Sequence, residues 1–376
     1  MYFSSLICAS ALAASAAAQM QMSLMDLLMT NNKTLGTLTG LLEAHPSLMS
    51  GLTSAQNITI LAPSNDAFST YLNTPNGKLA SSNPGQLTAL LQYHVLMGTY
   101  MSSSLNTSIY AKSMLTNATY ANVTGGQVVK LSKTGDAVLA LSGNREMSKS
   151  TTKDVAFQGG VVHVLDKVLT MPMMPSHSAL DSNLTALAGA LTASSLIAPL
   201  DAMKDLTIFA PSNAAFDRIG SALPMLAKDK SMLMNVLEYH VVNGTIGYAG
   251  TLGNMTLTAA QGGKIKVEVV NKKVFVNSAQ VIISDVIIAN GVVHVIDNVL
   301  NPANPGATPN PTATTQTVAF TGVTMGPNPF TSGITPTATA PSASTSTAAA
   351  DRDEGAMSSV AYSVLLLSLV FLRDIM

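Results

Sequence analysis

Three phrases of this sequence occur twice in the same order, so a duplicated domain is the first constraint on its fold. The pairs are TILAPSNDAF and TIFAPSNAAF at 59–68 and 207–216, LLQYHVLMGT and VLEYHVVNGT at 90–99 and 236–245, and GGVVHVLDKVL and NGVVHVIDNVL at 159–169 and 290–300. A repeat of roughly 130–150 residues has the size of a globular domain and exceeds the about 20–50 residues of a solenoid repeat. The 376 residues therefore hold two homologous domains, each long enough to bury its own core.

The first phrase predicts a strand, a tight turn and a helix. A short apolar run forms the strand, and Pro63 or Pro211 ends it, because proline cannot donate to a sheet ladder. The Ser-Asn pair that follows, Ser64 and Asn65 in the first copy, supplies a helix N-cap. Phe68 then anchors the helix in the core.

The second phrase predicts a helix that runs into a strand, and the third predicts a buried strand. Leu87, Leu90, Leu91 and His94 lie at helical spacing, as do their counterparts in the second copy. Glycine pairs and alternating runs such as KIKVEVV, which lie between these phrases, predict hairpins. Helices come early in each copy and strands late, which indicates the α+β class.

In this order, APSNxAF, YHVxxGT and GxVHVxDxVL resemble the hallmark motifs of the fasciclin-like domain family. The resemblance covers two tandem domains, at residues 20–171 and 174–300. It implies a β-wedge of about seven strands flanked by helices. It also implies a secreted or lipid-anchored protein that mediates cell adhesion or contacts with the cell wall or matrix.

The N-terminus predicts a secretory signal peptide over residues 1–18. Residues 6–18 are apolar and end in the small residues Ala16–Ala18, although the preceding MYFSS has no Lys or Arg. A buried N-terminal helix is the alternative. The single cysteine, Cys8, lies in this segment, so the mature chain would have no disulfide, cysteine nucleophile or thiolate metal site.

The C-terminus predicts a disordered Ser/Thr/Pro-rich stalk and spacer over residues 301–355, followed by an anchor signal over 356–376. The apolar run Val360–Leu372 is shorter than the about 20 residues that a membrane-spanning helix needs. It fits a glycosylphosphatidylinositol attachment signal, with the attached residue between Ala348 and Ala356. The charges of Arg373 and Asp374 leave a single-pass anchor as the alternative.

Sequons for N-glycosylation are frequent in both domains. They lie at Asn32, Asn57, Asn106, Asn117, Asn122, Asn183, Asn243 and Asn254. The span from Tyr93 to His163 is 15 residues longer than that from Tyr239 to His294. We expect the excess near Ser102–Asn122, as a glycosylated surface loop.

The residues that invite a chemical site have simpler explanations. Histidines recur in register at His94, His163, His240 and His294, but in apolar phrases, which favours rings that satisfy backbone groups. No HExxH motif or cysteine pair supports a metal. Ser64 and Ser212 lack the G-x-S-x-G elbow of a hydrolase, and helix capping explains them. The methionines at 171–174 fit a connector better than a soft-metal site. We therefore predict neither an enzyme nor a cofactor.

The family resemblance also suggests a contact motif at the Tyr-His pairs. By position these are Tyr93, His94, Tyr239 and His240, although their apolar neighbours favour a structural role. The family's other adhesion motif, an acidic segment near the first phrase, is not recognisable here.

Taken together, these features predict a non-catalytic adhesion glycoprotein on the outer face of the plasma membrane or in the cell wall. Charged residues are only 10% of the chain and the net charge is −1, which excludes a nucleic-acid footprint. The predicted partners are extracellular matrix, cell-wall polysaccharide or cell-surface proteins, with a lipid anchor to the membrane. The alternative is a module that carries a lipid or small apolar ligand in a groove between wedge and helices.

Overall fold

The computed structural model describes residues 22–336, which contain two domains built from the same elements in the same order. These residues lie in one compact unit. The predicted signal peptide and anchor signal lie outside the described residues. None of the helices between residues 22 and 336 has the length and apolar character needed to cross a membrane.

The first domain has six α-helices and seven strands within the described residues. Its helices are α1 Leu24–Thr30, α2 Asn32–Glu43, α3 Pro46–Ser54, α4 Asn65–Leu72, α5 Pro75–Ser82 and α6 Pro84–Tyr93. Its strands are β1 Ile58–Pro63, β2 Val95–Met97, β3 Ile109–Lys112, β4 Val128–Thr134, β5 Ala137–Leu141, β6 Met147–Phe157 and β7 Gly160–Leu165. A 3₁₀ turn covers Ser102–Ser104.

The second domain repeats this plan. Its helices are α7 Pro175–Asp181, α8 Thr185–Ser194, α9 Ile197–Ala202, α10 Asn213–Arg218, α11 Leu223–Lys228 and α12 Lys230–Glu238. Its strands are β8 Leu206–Pro211, β9 Val241–Val242, β10 Met255–Thr258, β11 Lys264–Val270, β12 Lys273–Val276, β13 Ala279–Ile288 and β14 Gly291–Ile296. Short 3₁₀ turns cover Gly220–Ala222 and Pro329–Thr331.

Each domain contains one seven-stranded sheet, as the family resemblance implies. The order is β2-β1-β7-β6-β5-β4-β3 in the first domain, and the second domain has the equivalent order. The first and last long strands, β1 and β7, pair in parallel, whereas the other neighbours are antiparallel. The α+β prediction is confirmed, with helices before the hairpins in both copies.

Strand β1 separates two cores in the first domain because its side chains alternate between the faces of the sheet. Ile58 and Ile60 pack under the helices with Phe68. Leu61 faces the other way, into the wedge formed by the hairpins, where Tyr93 lies. The repeated phrases therefore mark the residues that join the helical layer to the wedge.

Residues 301–336, called here the strap, pack against the second domain. Phe330 is 5% exposed and lies edge-on to Phe216, with ring centroids 6.2 Å apart. The guanidinium of Arg218 donates to the carbonyl of Gln316. The prediction of a disordered stalk from residue 301 is therefore wrong up to residue 336. A few apolar side chains in this Thr/Pro-rich segment find a core to cover, which average composition conceals.

Candidate functional site

The Tyr-His pair of the first domain is buried and bonded to backbone. Tyr93 is 0% exposed, and its hydroxyl donates to the carbonyl of Val128 at 2.9 Å. The Nδ1 atom of His94 donates to the carbonyl of Leu90 at 2.8 Å, while Nε2 accepts from the N–H of Leu169 at 2.9 Å. Burial lowers the pKa of His94 to about 4, against the opposing effect of the Leu90 carbonyl.

The second domain repeats these contacts. The hydroxyl of Tyr239 donates to the carbonyl of Lys264 at 2.7 Å. His240 donates to the carbonyl of Val236 at 2.7 Å and accepts from the N–H of Leu300 at 2.8 Å. The prediction that these imidazole rings satisfy backbone groups is confirmed for His94 and His240. As the structure holds them, the Tyr-His pairs have almost no exposed surface, so their role as a contact motif stays a prediction.

The Ser-Asn pairs are also architectural. Ser64 caps α4 by accepting from the N–H of Ala67, as predicted. Asn65 instead clamps α2, because its Oδ1 accepts from the N–H of Thr37 and its Nδ2 donates to the carbonyl of Lys33. The second copy repeats both contacts. The long-range clamp is not visible in the sequence, since it joins residues about 30 positions apart.

One serine, aspartate and histidine do come together in the first domain. The hydroxyl of Ser102 donates to the carboxylate of Asp154, whose own N–H donates to Nδ1 of His163 at 3.2 Å. The Nε2 atom of His163 is bonded to the carbonyl of Tyr100 at 2.8 Å. Since the imidazole does not contact the serine, this cluster lacks the nucleophile–base pair of a hydrolase. His294 makes the corresponding backbone contacts in the second domain.

The two domains meet at a polar seam centred on Asp285. This carboxylate is 1% exposed and accepts from the ammonium of Lys130 at 2.8 Å, the hydroxyl of Tyr110 at 2.9 Å and the N–H of Ala249 at 2.8 Å. Burial alone would raise the pKa of Asp285, but Lys130, His294 and the amide hydrogen bond hold it below its ordinary value. Asp285 has a φ of +59°, in a stretch of β13 where the pairing register shifts.

Aromatic stacking supports this polar cluster. The rings of Tyr110 and Tyr248 stack with centroids 4.5 Å apart and an interplanar angle of 16°. The N–H of Gly250 donates to the Tyr110 hydroxyl at 2.9 Å. A β-carbon at Gly250 would lie 2.9 Å from the Tyr110 ring, so the close approach needs a glycine. The seam thus joins a paired charge to a stacked ring pair, and it orients the domains.

Two insertions found only in the first copy extend the seam. The loop between β3 and β4 has fifteen residues, whereas its counterpart between β10 and β11 has five. The loop between β5 and β6 has five residues, whereas its counterpart between β12 and β13 has two. From the first insertion, Gln127 donates to the carbonyls of Ile288 and Ala289. From the second, Arg145 donates to the carbonyl of Ser284 at 2.7 Å.

The insertion expected near Ser102–Asn122 lies further along the chain than predicted, and only part of it is a surface loop. Most of the 15 excess residues fall in the loops 113–127 and 142–146, and the first of these loops overlaps the expected segment. Ser102 and Leu115 are buried, and the insertions pack on the other domain. Counting residues between motifs gives the size of an insertion but cannot locate it or say what it contacts.

The sequons differ in exposure. Six asparagines are exposed, and these are Asn32, Asn57, Asn106, Asn117, Asn243 and Asn254. Asn183 is half-buried, and so is Asn122, whose Nδ2 donates to the carbonyl of Met203 at 3.1 Å. Occupancy at all eight stays a prediction.

A cleft of about 360 Å³ opens where the connector between the domains crosses the first insertion. Its walls include the side chains of Tyr71, Gln86, Tyr120, Met171 and His177. Among the described residues, none that lines it is Asp, Glu, Lys or Arg. The cleft therefore offers aromatic, thioether, amide and hydroxyl groups without a fixed carboxylate or ammonium charge.

A second cavity lies inside the second domain, between its helices and sheet. Apolar residues such as Leu187, Leu237 and Val293 line it, together with His240. The space open to water is about 30 Å³. That volume holds about one water molecule and is far below the roughly 300 Å³ at which ligand pockets begin.

Comparison with known proteins identifies one family. The family model for the Fasciclin domain matches residues 33–172 and 182–302. The "Fasciclin-like arabinogalactan protein" of Arthroderma benhamiae is 33% identical over 57% of this chain and 51% of its own length. The "Fasciclin-like arabinogalactan protein elcF" of Phaeosphaeria nodorum is 30% identical over 73% of this chain and 86% of its own length.

Animal proteins show similarity over shorter stretches. The porcine "Transforming growth factor-beta-induced protein ig-h3" is 33% identical over 38% of this chain and 21% of its own length. The chain thus spans about half the length of the Arthroderma relative and a fifth of the porcine one. A solved domain pair from the insect cell adhesion molecule fasciclin I is 19% identical, covers 72% of this chain and 98% of that one, and gives a TM-score of 0.35.

Proposed function

We propose, from the premise that this chain belongs to the Fasciclin domain family, that it is a non-catalytic adhesion glycoprotein of the cell surface or cell wall. Two tandem domains of an adhesion-type family support a role in contacts with a cell surface or matrix. We also propose that the two domains, held together by the seam, act as one rigid unit. Its partners are cell-wall polysaccharide, extracellular matrix or cell-surface proteins.

The observation that carries this proposal is the burial of the repeated motifs. Tyr93, His94, Tyr239 and His240 are at most 3% exposed. Contacts with a partner therefore fall to the outer faces and clefts. Weak contacts at such surfaces gain strength when many copies are displayed side by side.

The cleft beside the connector suits a neutral saccharide. Sugar hydroxyls pair with amides and hydroxyls, and sugar C–H faces pack on aromatic rings. Gln86, Tyr71 and Tyr120 supply these groups, and the volume of about 360 Å³ lies within the roughly 300–1,000 Å³ of small-ligand sites. The names of the fungal relatives, which refer to arabinogalactan, agree with a carbohydrate context.

The proposal that the protein is displayed at the outer face of the membrane is supported by the sequence signals at the two ends of the chain. A signal peptide over residues 1–18 and an anchor signal over 356–376 would send the chain through the secretory pathway and attach it to a lipid. The segment beyond the strap, residues 337–355, would then separate the domains from the membrane.

The alternative, a carrier of a lipid or small apolar ligand, has one supporting observation. The cavity in the second domain is apolar, but about 30 Å³ would have to widen roughly tenfold to hold such a ligand. The cleft beside the connector already has the volume of a small-ligand site, so binding of a saccharide needs no such rearrangement.

Two measurements test the proposal. Phospholipase treatment of intact cells should release the protein, and retention beside a released lipid-anchored control would contradict the anchor.

The purified protein should bind neutral wall polysaccharide, and Tyr120→Ala should weaken binding by about tenfold, or ~1.4 kcal/mol. Met255→Ala, an exposed substitution outside the cleft, should bind normally. Equal binding by both variants would remove the cleft from the proposal.

A further inference from the structure

The sequon at Asn122 lies inside the seam between the domains. The backbone N–H of Asn122 donates to the carbonyl of Ala289 at 2.7 Å. Its side-chain Nδ2 donates to the carbonyls of Met203 at 3.1 Å and Ala202 at 3.4 Å. All three acceptors belong to the second domain, so this asparagine is a bridge between the two copies.

The third residue of the same sequon is held as well. The N–H and the hydroxyl of Thr124 donate to the two carboxylate oxygens of Asp205, each at 2.6 Å. Asp205 has a φ of +55° at the residue before β8. The sequon is therefore bound at both ends by the second domain.

An N-linked glycan would be attached to Nδ2 of Asn122 and would replace one of its two hydrogens with a sugar ring. That nitrogen lies 3.1 Å from the carbonyl oxygen of Met203 and 3.4 Å from that of Ala202. No ring fits within that distance, so the glycan would force Met203 and its neighbours away. Asn117, five positions earlier, is exposed, and its side-chain oxygen accepts from the N–H of Thr119 within its own turn.

We infer that the side-chain amide of Asn122 is a docking group of the seam, and that a glycan on Asn122 and docking of the two domains exclude each other. Asn122 precedes Met203 and Asp205 in the chain, so the sequon is synthesised before its docking partners. Its occupancy is therefore decided first, and each occupied molecule keeps its domains apart. The part of this inference that concerns the glycan, called the glycan half, rests on the proposed secretory route. The part that concerns docking through the amide, called the docking half, does not.

The glycan half is tested on the full chain made in a glycosylating host. Size-exclusion chromatography separates compact from extended molecules, and glycopeptide mass spectrometry reads each fraction. Asn117 should be occupied in both, while Asn122 should be empty in the compact fraction. Equal occupancy of Asn117 and Asn122 in compact molecules would overturn the inference. If every sequon were empty, the proposed secretory route would fail, and the docking half is decided separately.

The docking half is tested without glycosylation, using single cysteines in a Cys8→Ser background. Asn117→Cys should react freely with a bulky maleimide, and Asn122→Cys should react at least about tenfold more slowly because the seam protects it. Labelling Asn122→Cys in denaturant and then refolding should enlarge the molecule, whereas labelled Asn117→Cys should stay compact. For an unlabelled Asn122→Cys protein that is compact, equal reaction rates, or a labelled form as compact as its control, would refute the docking role. Enlargement of unlabelled Asn122→Cys would itself be the expected loss of docking.

Discussion

Replacing glycine with alanine at equivalent helix positions should have opposite effects in the two domains, because the strap covers only one of the two positions. Gly189 in α8 and Gly40 in α2 occupy corresponding helix positions. A β-carbon at Gly189 would lie 1.8 Å from the carbonyl oxygen of Phe330, whereas one at Gly40 would have no neighbour within 4 Å. Gly189→Ala must therefore displace the strap. Gly40→Ala displaces nothing, so its effect on stability comes only from the higher helix propensity of alanine.

The size of each effect follows from the contacts. Alanine in place of a mid-helix glycine stabilises by about 0.5–1 kcal/mol, and this is the expected gain for Gly40→Ala. Lifting Phe330 gives up part of about 1.5–3 kcal/mol of burial and about 0.5–1.5 kcal/mol of edge-on contact with Phe216. We expect Gly189→Ala to lose about 1–3 kcal/mol net, which leaves the two variants about 1.5–4 kcal/mol apart.

Two assays decide the matter. Urea unfolding gives the free energies, and chymotrypsin cleavage after Phe330, read by mass spectrometry, reports release of the strap. Cleavage should rise about tenfold for each 1.4 kcal/mol lost locally. If Gly189→Ala were as stable as Gly40→Ala, with Phe330 still protected, the packing of the strap on α8 would be refuted.

Three further outcomes follow from the structure. Asp285→Asn should weaken docking by about 2 kcal/mol, because Lys130 loses its paired charge, and size-exclusion chromatography should show an extended molecule. Lowering the pH from 6.5 towards 4 should destabilise the fold by at most about 3 kcal/mol per buried imidazole, measured by urea unfolding. The sign follows because His94 and His240 have a folded pKa of about 4, so the unfolded chain, which titrates near 6.5, binds more protons across this window. Asn65→Ala should cost about 1–2 kcal/mol in thermal unfolding, because two backbone groups of α2 lose their partner.

Each of these outcomes has a contradicting result. A compact Asp285→Asn protein would remove the ion pair from the docking energy. Unchanged stability between pH 6.5 and 4 would mean that the imidazoles are hydrated when folded. Asn76→Ala, an exposed asparagine in α5, is the control for Asn65→Ala, and equal stability of the two variants would rule out the clamp.

The sequence predicts the plan of each domain because that plan rests on local patterns. Apolar periodicity, the Pro63 stop and the Ser64 cap are all visible within ten residues, and their repetition doubles the evidence. The structural role of His94 was likewise predictable from its apolar phrase. These features recur in both copies because each copy needs them to fold.

The seam and the strap could not be predicted because they depend on contacts between distant segments. Nothing in the phrase around Asp285 indicates a positive φ or a partner at Lys130. A sequon at Asn122 looks the same whether its amide meets water or the carbonyl of Met203. The Thr/Pro-rich composition after residue 301 likewise gives no sign that Phe330 covers a helix. The features that distinguish the two copies are therefore those that the sequence conceals.

We propose that this chain mediates adhesion from the cell surface. The most direct measurement compares attachment to wall- or matrix-coated surfaces by cells that display the protein and cells that lack it. Displayed protein is quantified by antibody, and the compact wild type is compared with the extended Asp285→Asn variant at equal display. Attachment should fall without the protein and should be only partly restored by the extended variant. Unchanged attachment in cells that lack the protein would contradict a role in adhesion.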